Sequence, residues 1–206
     1  NDNGLPYRPG DDLRKTRFLP QPMVDSGSAA LHAFIRQDPE FVTGSFWSDG
    51  MIRVSGREYN GLIDSPCYQR GRDHDRTLSC FSCHTMHKTP EDPRSVTDWA
   101  ENHQVSAGMH GNDACGHCHV DLVNNVTAHT RHASGSSGSS CYNCHMPYTS
   151  YGLLKVLRSH TISSPSARES VETGRPNACN LCHLDKTLAW TDQTLRAWFS
   201  TSQTEL

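Results

Sequence analysis

Residues 80–87 read Cys80-Phe-Ser-Cys83-His84-Thr-Met-His87. Two cysteines and two histidines so close together fit a zinc site, a redox pair, or the covalent anchor of a prosthetic group. The rest of the chain chooses between these readings. Nine cysteines occur in 206 residues, and eight of them form C-x-x-C pairs, each followed at once by histidine. The four sets are Cys80/Cys83/His84, Cys115/Cys118/His119, Cys141/Cys144/His145 and Cys179/Cys182/His183. C-x-x-C-H is the attachment pattern of c-type haem: two thiols form thioethers with the porphyrin vinyl groups and the adjacent histidine takes one axial position on iron. The two-residue spacer puts both sulfurs on one side of a tight turn, with the histidine expected at the start of a following helix.

The competing chemistries explain less. Zinc ribbons pair C-x-x-C motifs but need no histidine after each. Thioredoxin-like motifs come singly beside a βαβ pattern that this chain lacks. A disulfide framework prefers an even count and leaves the histidines unexplained. Four haem c groups are therefore the expected cofactors, and they supply what the composition withholds. Only 34% of residues are hydrophobic and the mean hydropathy is −0.65, so the polypeptide by itself buries little apolar surface.

Thirteen histidines leave nine after the four motif ligands. His87 follows His84 by three, one helical turn, so the two are expected on one face; His87 then suits a different haem and ties neighbouring cofactors together. His129 and His132, in "HTRH", repeat that spacing and, if helical, serve two adjacent haems. His160, in "RSHTISSP", is a further distal candidate. His117 is pinned inside the second motif, and His32, His74, His103 and His110 read as surface histidines. Met146 follows His145 directly and is badly placed for the same iron. Bis-histidine ligation is the expectation throughout.

The remaining segments give a coarse plan. Residues 1 to about 25 are rich in Pro, Gly and charge and read as an extended arm. "SGSAALHAFIRQDP" predicts a helix capped near Ser28 and stopped at Asp38-Pro39. "SFWSDGMIRVSG" predicts a hairpin turning through Asp49-Gly50. "ASGSSGSS" reads as a flexible loop held between two anchors. Asn125-Val-Thr is a glycosylation sequon, a triplet common by chance, and "DKTLAWTDQTLRAWF" has helical spacing, with aromatics expected to pack locally. Successive first cysteines are 35, 26 and 38 residues apart, which excludes a solenoid of fixed period. The fold class expected is short α-helices and loops wrapped around four haems, with little regular secondary structure and a small N-terminal β-hairpin. Residues 1–75 form a haem-free N-terminal arm and residues 76–206 the tetrahaem region. Cys67 is left over, either a free buried thiol or a partner for an intermolecular disulfide.

The formal charge of −3 argues against nucleic-acid binding. No apolar run approaches the length of a membrane span; the best, "YGLLKVL" from Tyr151, is short and carries a lysine. A chain beginning at Asn1 fits a mature form whose targeting segment was removed, and covalent haem attachment points to the periplasm or beyond.

Together "SGREYNGLIDSPC", "LSCFSCHTMH", "HTRHASGSSGSSCYNCHMPYTSYGLL", "RSHTISSP" and "GRPNACNLCHLDKTLAW" resemble a family of exported multihaem c-type cytochromes, often fused to tetratricopeptide repeats, from about Arg57 to Trp190. The resemblance implies that His87, His129, His132 and His160 are axial ligands. No tetratricopeptide repeat follows the last motif, so a stand-alone haem module is expected. Modules of this size are also subunits of extracellular cytochrome filaments, where a subunit lends an axial histidine to its neighbour. Electron transfer is the function this implies, without enzymatic activity, either as a filament subunit or as a soluble shuttle. The partners implied are redox proteins, an extracellular electron acceptor, or further copies of the chain. The rival is a multihaem reductase of small nitrogen or sulfur oxyanions, which needs one open haem; its lysine-ligated C-x-x-C-K variant is absent.

Overall fold

The computed structural model describes residues 7–8, 11–54, 57–151 and 155–199. Short helices joined by long irregular segments make up most of it. In chain order they are α1 (Ala29–Gln37), α2 (Phe41–Ser45), α3 (Glu58–Asp64), α4 (Pro66–Arg72), α5 (Val96–Glu101), α6 (Asp113–Gly116), α7 (Val120–Asn124), α8 (Val126–Thr130), α9 (Cys141–His145), α10 (Ala167–Thr173) and α11 (Leu188–Phe199). Strands β1 (Tyr148–Tyr151) and β2 (Lys155–Arg158) pair antiparallel between α9 and α10, with Tyr148 opposite Arg158 and Tyr151 opposite Lys155. The "YGLLKVL" run thus ends one strand and begins the next, and its residues 152–154 lie outside the described residues. No described helix is long and apolar enough to cross a membrane.

Local chemistry accounts for where these helices start. The hydroxyl of Ser28 accepts from the Leu31 N–H at 3.0 Å, and α1 ends at Asp38 ahead of Pro39, as the sequence predicts. Ser95 and Ser166 cap α5 and α10 in the same way. Ser65 does two jobs at the α3–α4 corner: its hydroxyl donates to the Leu62 carbonyl at 2.6 Å and accepts from the Tyr68 N–H, with Pro66 opening α4. The last helix, α11, is the longest of those described and falls where the sequence places it.

The N-terminal hairpin differs from expectation. It is reduced to one bridge, Phe46 to Ile52, with the Trp47 N–H bonded to the Met51 carbonyl and the Arg53 N–H to the Ser45 carbonyl. The Gly50 N–H returns to the Trp47 carbonyl, and Gly50 alone takes a positive φ, of 83°. Ser48 and Asp49 therefore form the turn, and Gly50 follows it in the left-handed region, rather than Asp49-Gly50 making a two-residue turn. The residues on its two sides are occupied elsewhere: α2 runs up to Ser45, and Phe41 and Phe46 join a ladder of rings with Phe34 and Phe18. The Arg57 guanidinium lies over Phe41 and Phe46. The only described paired strands lie instead between the third and fourth motifs.

This apolar ladder is small, and the haem-motif half has few buried apolar side chains of its own: Trp99, Ala167, Ala178 and Leu195. The chain exposes 13287 Å², against about 9,600 Å² for an ordinary monomer of its mass. Exposed apolar side chains include several at the motifs: Phe81 and Leu181 inside them, and Val120 and Leu184 directly after them. Exposed apolar side chains of this kind mark a surface that a bound group or a partner covers.

The first 75 residues touch the motif region at defined points. The backbone of Gly61 in α3 lies so close to the 160–161 peptide that an added Cβ would stand 2.9 Å from the Thr161 nitrogen and 3.1 Å from the His160 carbonyl carbon. Arg175 ion-pairs with Asp49 at 3.6 Å and with Glu169. Gly61→Ala is expected to lower stability by about 1–3 kcal/mol through overpacking. Gly44→Ala, in α2 with nothing within 4 Å, is expected to raise it by roughly 0.5–1 kcal/mol. Urea midpoints of the two variants measure both.

Candidate haem-binding site

The four C-x-x-C-H segments fold alike. The His84 N–H returns to the Cys80 carbonyl at 2.9 Å, His119 to Cys115 at 2.8 Å and His183 to Cys179 at 2.9 Å. The second cysteine of each of these motifs also donates to the first. The third motif is the short helix α9 itself. Each histidine therefore closes a single helical turn, and only His119 stands directly ahead of a further helix, α7. This corrects the expectation that the histidines begin helices: the bond from histidine to the first cysteine ends the turn there.

All nine thiols are free of disulfides. Those of successive motifs come together. Burial pushes the Cys115 thiol up to about 12, helped by the Cys141 thiol to which it is hydrogen-bonded. Burial likewise raises Cys144 to about 11, with Cys179 adding to it. Asn112 ties the second motif to the third, its amide donating to the Ser139 carbonyl at 2.8 Å and accepting from the Cys141 N–H at 2.9 Å. The Tyr142 hydroxyl reaches the Met109 carbonyl across the same seam. Cys67 is half-buried, and burial raises its thiol, with Cys118 close enough to add to the shift.

Three motif histidines each have a second histidine nearby. The ring centres of His84 and His160 are 6.3 Å apart, those of His145 and His129 6.2 Å, and those of His183 and His132 6.0 Å. A metal–imidazole bond of about 2.0–2.1 Å, plus about 1.1 Å from nitrogen to ring centre, sets two rings across one metal about 6.3 Å apart. The protonation pattern agrees. Nδ1–H of His84 donates to the His103 carbonyl at 2.8 Å, that of His145 to Ser163 at 2.9 Å, that of His160 to Arg158 at 3.1 Å, and that of His132 to Thr130. Each of these four rings keeps Nε2 free of hydrogen bonds among the described residues, and in a neutral ring protonated at Nδ1 that nitrogen is the one that binds a metal. Burial pushes His160 and His129 below the ordinary histidine range, which favours the same neutral form. The residues present thus fit iron held between paired imidazoles. They do not fit a zinc cluster: among the described residues no group of three or more His, Cys, Asp or Glu is placed to hold one ion.

The supports for these rings are mostly backbone. His84 is held by a strained turn in which His103 and Gln104 have φ of 54° and 57°. The turn is tied down by Thr85 N–H to the Gln104 carbonyl, by Ser106 N–H to Cys83, and by Arg94, which donates to the Val105 carbonyl while gripping the buried Asp92. In "HTRH", α8 ends at Thr130 and Arg131 takes a left-handed φ of 58°. His129 and His132 are therefore not on one continuous helix; the break between them sends one to His145 and the other to His183. "ASGSSGSS" is not a loose loop either. Ser139 is buried, Asn143 holds the Ser137 carbonyl at 2.8 Å, and Gly138 lies against the His132 ring so closely that a Cβ would overlap it.

"HTMH" is not helical, so His84 and His87 do not share a helix face. His87 and His119 are both exposed, and among the described residues no ring contact joins either to another histidine. The carbonyls of His103, Arg158, Ser163 and Thr130 carry no sequence signal, because any residue supplies one. The contacts of Trp190, Trp198 and Phe199 with motif and distal histidines were also missed; their place on one amphipathic helix beside the fourth motif is the signal that was available. The Asn125 side chain of the sequon is exposed and donates to the Asp121 carbonyl.

Residues 127–205 match the cytochrome c552 family model. Over that segment, which holds the third and fourth motifs with His129 and His132, the chain is similar to a c-type cytochrome, and that similarity carries covalently bound haem and electron transport with it. No curated protein and no solved structure matches the chain.

Gly138→Ala is expected to cost about 1–3 kcal/mol by driving the His132 ring from its place. Arg131→Gly, which suits the left-handed turn, is expected to change stability by less than about 1 kcal/mol. Both are read from urea midpoints. The Arg94 guanidinium, hydrogen-bonded to Asp92, holds that carboxyl well below the usual carboxylate range. Its folded form is thus favoured above the unfolded value of about 4, and the contribution is lost as pH falls through the folded value. In acid titrations the stability of wild type and Asp92→Asn should differ at neutral pH and converge toward strongly acidic pH.

Proposed function

We propose that the chain binds four haem c groups covalently and passes electrons between them. Cys80, Cys83, His84 and His160 would hold the first; Cys115, Cys118 and His119 the second; Cys141, Cys144, His145 and His129 the third; Cys179, Cys182, His183 and His132 the fourth. The observation that carries this reading is the set of three histidine pairs with ring centres 6.0–6.3 Å apart, each pair joining a motif histidine to one outside the motifs. Haem iron supplies one-electron redox chemistry. The protein's part is to fix the axial rings, exclude water and keep the groups close. The Asn112 bridge between the second and third motifs favours a short step from the second group to the third. Covalent haem also places the protein outside the cytoplasmic membrane, in the periplasm or the extracellular space.

His119 and His87 support a finer reading. A motif histidine with no second ring and an exposed histidine with no ring partner among the described residues suit association between copies in which His87 of one completes the site of another. That makes the chain the subunit of an extracellular conductive filament whose partners are its own copies and a terminal electron acceptor. The same open position suits the reductase of small nitrogen or sulfur oxyanions.

The native preparation should give a reduced pyridine haemochrome of about four haems per chain. A colourless protein, or zinc in place of iron, ends the proposal. Negative-stain microscopy should show long uniform filaments, and carbon monoxide should bind one haem per chain only after the filaments are dispersed. Monodisperse particles that bind carbon monoxide as isolated favour the reductase, and monodisperse particles that do not bind it favour a soluble shuttle.

A further inference from the structure

The axial histidines are held in two different ways. His84, His132, His145 and His160 each have Nδ1–H bonded to a backbone carbonyl. The rings of His129 and His183 make no hydrogen bond among the described residues, yet both sit in the same 6.0–6.2 Å pairs. What touches them instead comes from one helix. Phe199 lies against the His129 ring, with centres 5.5 Å apart and planes at 52°, and Trp190 lies against His183 at 5.1 Å and 49°. Both belong to α11. Asp185, the acidic residue nearest His183 in sequence, is exposed and bonded to Lys186.

We infer that α11 is the positioning element for the third and fourth axial pairs, with Phe199 and Trp190 fixing by ring contact two histidines that no carbonyl fixes. This rests on the haem reading above. Tilted aromatic contacts of this kind restrain a ring without polarising it. A carbonyl partner does both, since it also raises the basicity of the ligand. One consequence concerns the potentials. The His84/His160 pair, hydrogen-bonded on both sides, is the more strongly donating and should carry the lowest potential of the three. The other two pairs mix one hydrogen-bonded ring with one held by α11.

The helix also provides its own control. Trp198, next to Phe199, touches His132 at 6.1 Å with the planes at 85°, but His132 already has its carbonyl bond to Thr130. Removing Trp198 takes away more apolar surface than removing Phe199, yet should disturb its histidine less. Phe199 is 41% exposed, so truncating it leaves the buried face of α11, Thr191, Asp192 and Leu195, intact. That face is anchored by Thr191, whose hydroxyl donates to the Asn180 side chain at 2.9 Å.

The test uses the haem-loaded full chain, with haem counted by pyridine haemochrome and ligation followed by ferric electron paramagnetic resonance and a spectroelectrochemical titration. Phe199→Ala is expected to take one haem's share out of the low-spin signal and to move one redox wave, with haem content unchanged. Phe199→Leu, which keeps an apolar contact, is expected to restore most of both. Trp190→Ala should do the same to a second wave, with Trp190→Phe as its rescue, and Trp198→Ala should leave spectrum and potentials near wild type. Equal disturbance by Trp198→Ala and Phe199→Ala, or failure of Phe199→Leu to rescue, would mean that α11 is only structural and overturns the inference. Unchanged spectra in Phe199→Ala and Trp190→Ala also overturn it while the haem reading stands. A wild-type chain without covalent haem overturns both.

Discussion

Two imidazoles held about 6 Å apart, their lone pairs unspent, are the constraint around which the rest of this protein is arranged. Such a pair gains nothing from its own contact at that distance, yet the chain invests in it. Carbonyls at His103, Arg158, Ser163 and Thr130 are brought to Nδ1 hydrogens. Non-glycine residues at 103, 104 and 131 accept positive φ, each at about 1–2 kcal/mol. Gly61 and Gly138 are small so that backbone and ring can approach closely. An iron bound between the rings would offset these costs, and their concentration around histidines supports the haem reading more strongly than any single distance.

The same constraint explains a fold with so little regular structure. A bulky apolar group attached through a five-residue turn would do the work that a sheet or bundle core does elsewhere, so a motif needs little more than one helical turn to carry it. Exposed Phe81, Val120, Leu181 and Leu184 are the side chains that such a group would cover. The protein-only core is correspondingly confined to the aromatic ladder of Phe18, Phe34, Phe41 and Phe46 and to the face of α11 that carries Leu195.

The three satisfied pairs and the exposed His119 and His87 divide the chain's histidines unevenly. Pairing within the chain links the first motif to the segment after β2, and the third and fourth to the "HTRH" turn and α11. The second motif is joined to the third through Asn112, Tyr142 and the Cys115–Cys141 contact rather than through a histidine pair. Among the described residues His119 has no second histidine ring beside it, which is why assembly between copies and small-molecule chemistry compete as readings of the same site.

The sequence alone determined whatever is decided within a few residues: the four C-x-x-C-H turns, the Ser28 cap, the stop at Asp38-Pro39 and helix α11, because hydrogen bonds spanning three or four residues depend on local residue type and little else. It also narrowed the spare histidines to a short set. It misjudged the Asp49-Gly50 turn, the "ASGSSGSS" loop and the helicity of "HTMH", where neighbours distant in sequence override local preference. The pairings were decided by tertiary structure. His84 and His160 are 76 residues apart and His132 and His183 are 51 apart, and no periodicity connects them. What joins them is a left-handed turn at Arg131, the close approach of Gly61 and a helix whose aromatics meet rings they do not neighbour in sequence. Carbonyls and ring contacts of this kind come from the path of the folded chain, which is why residue identity could offer candidate ligands without pairing them.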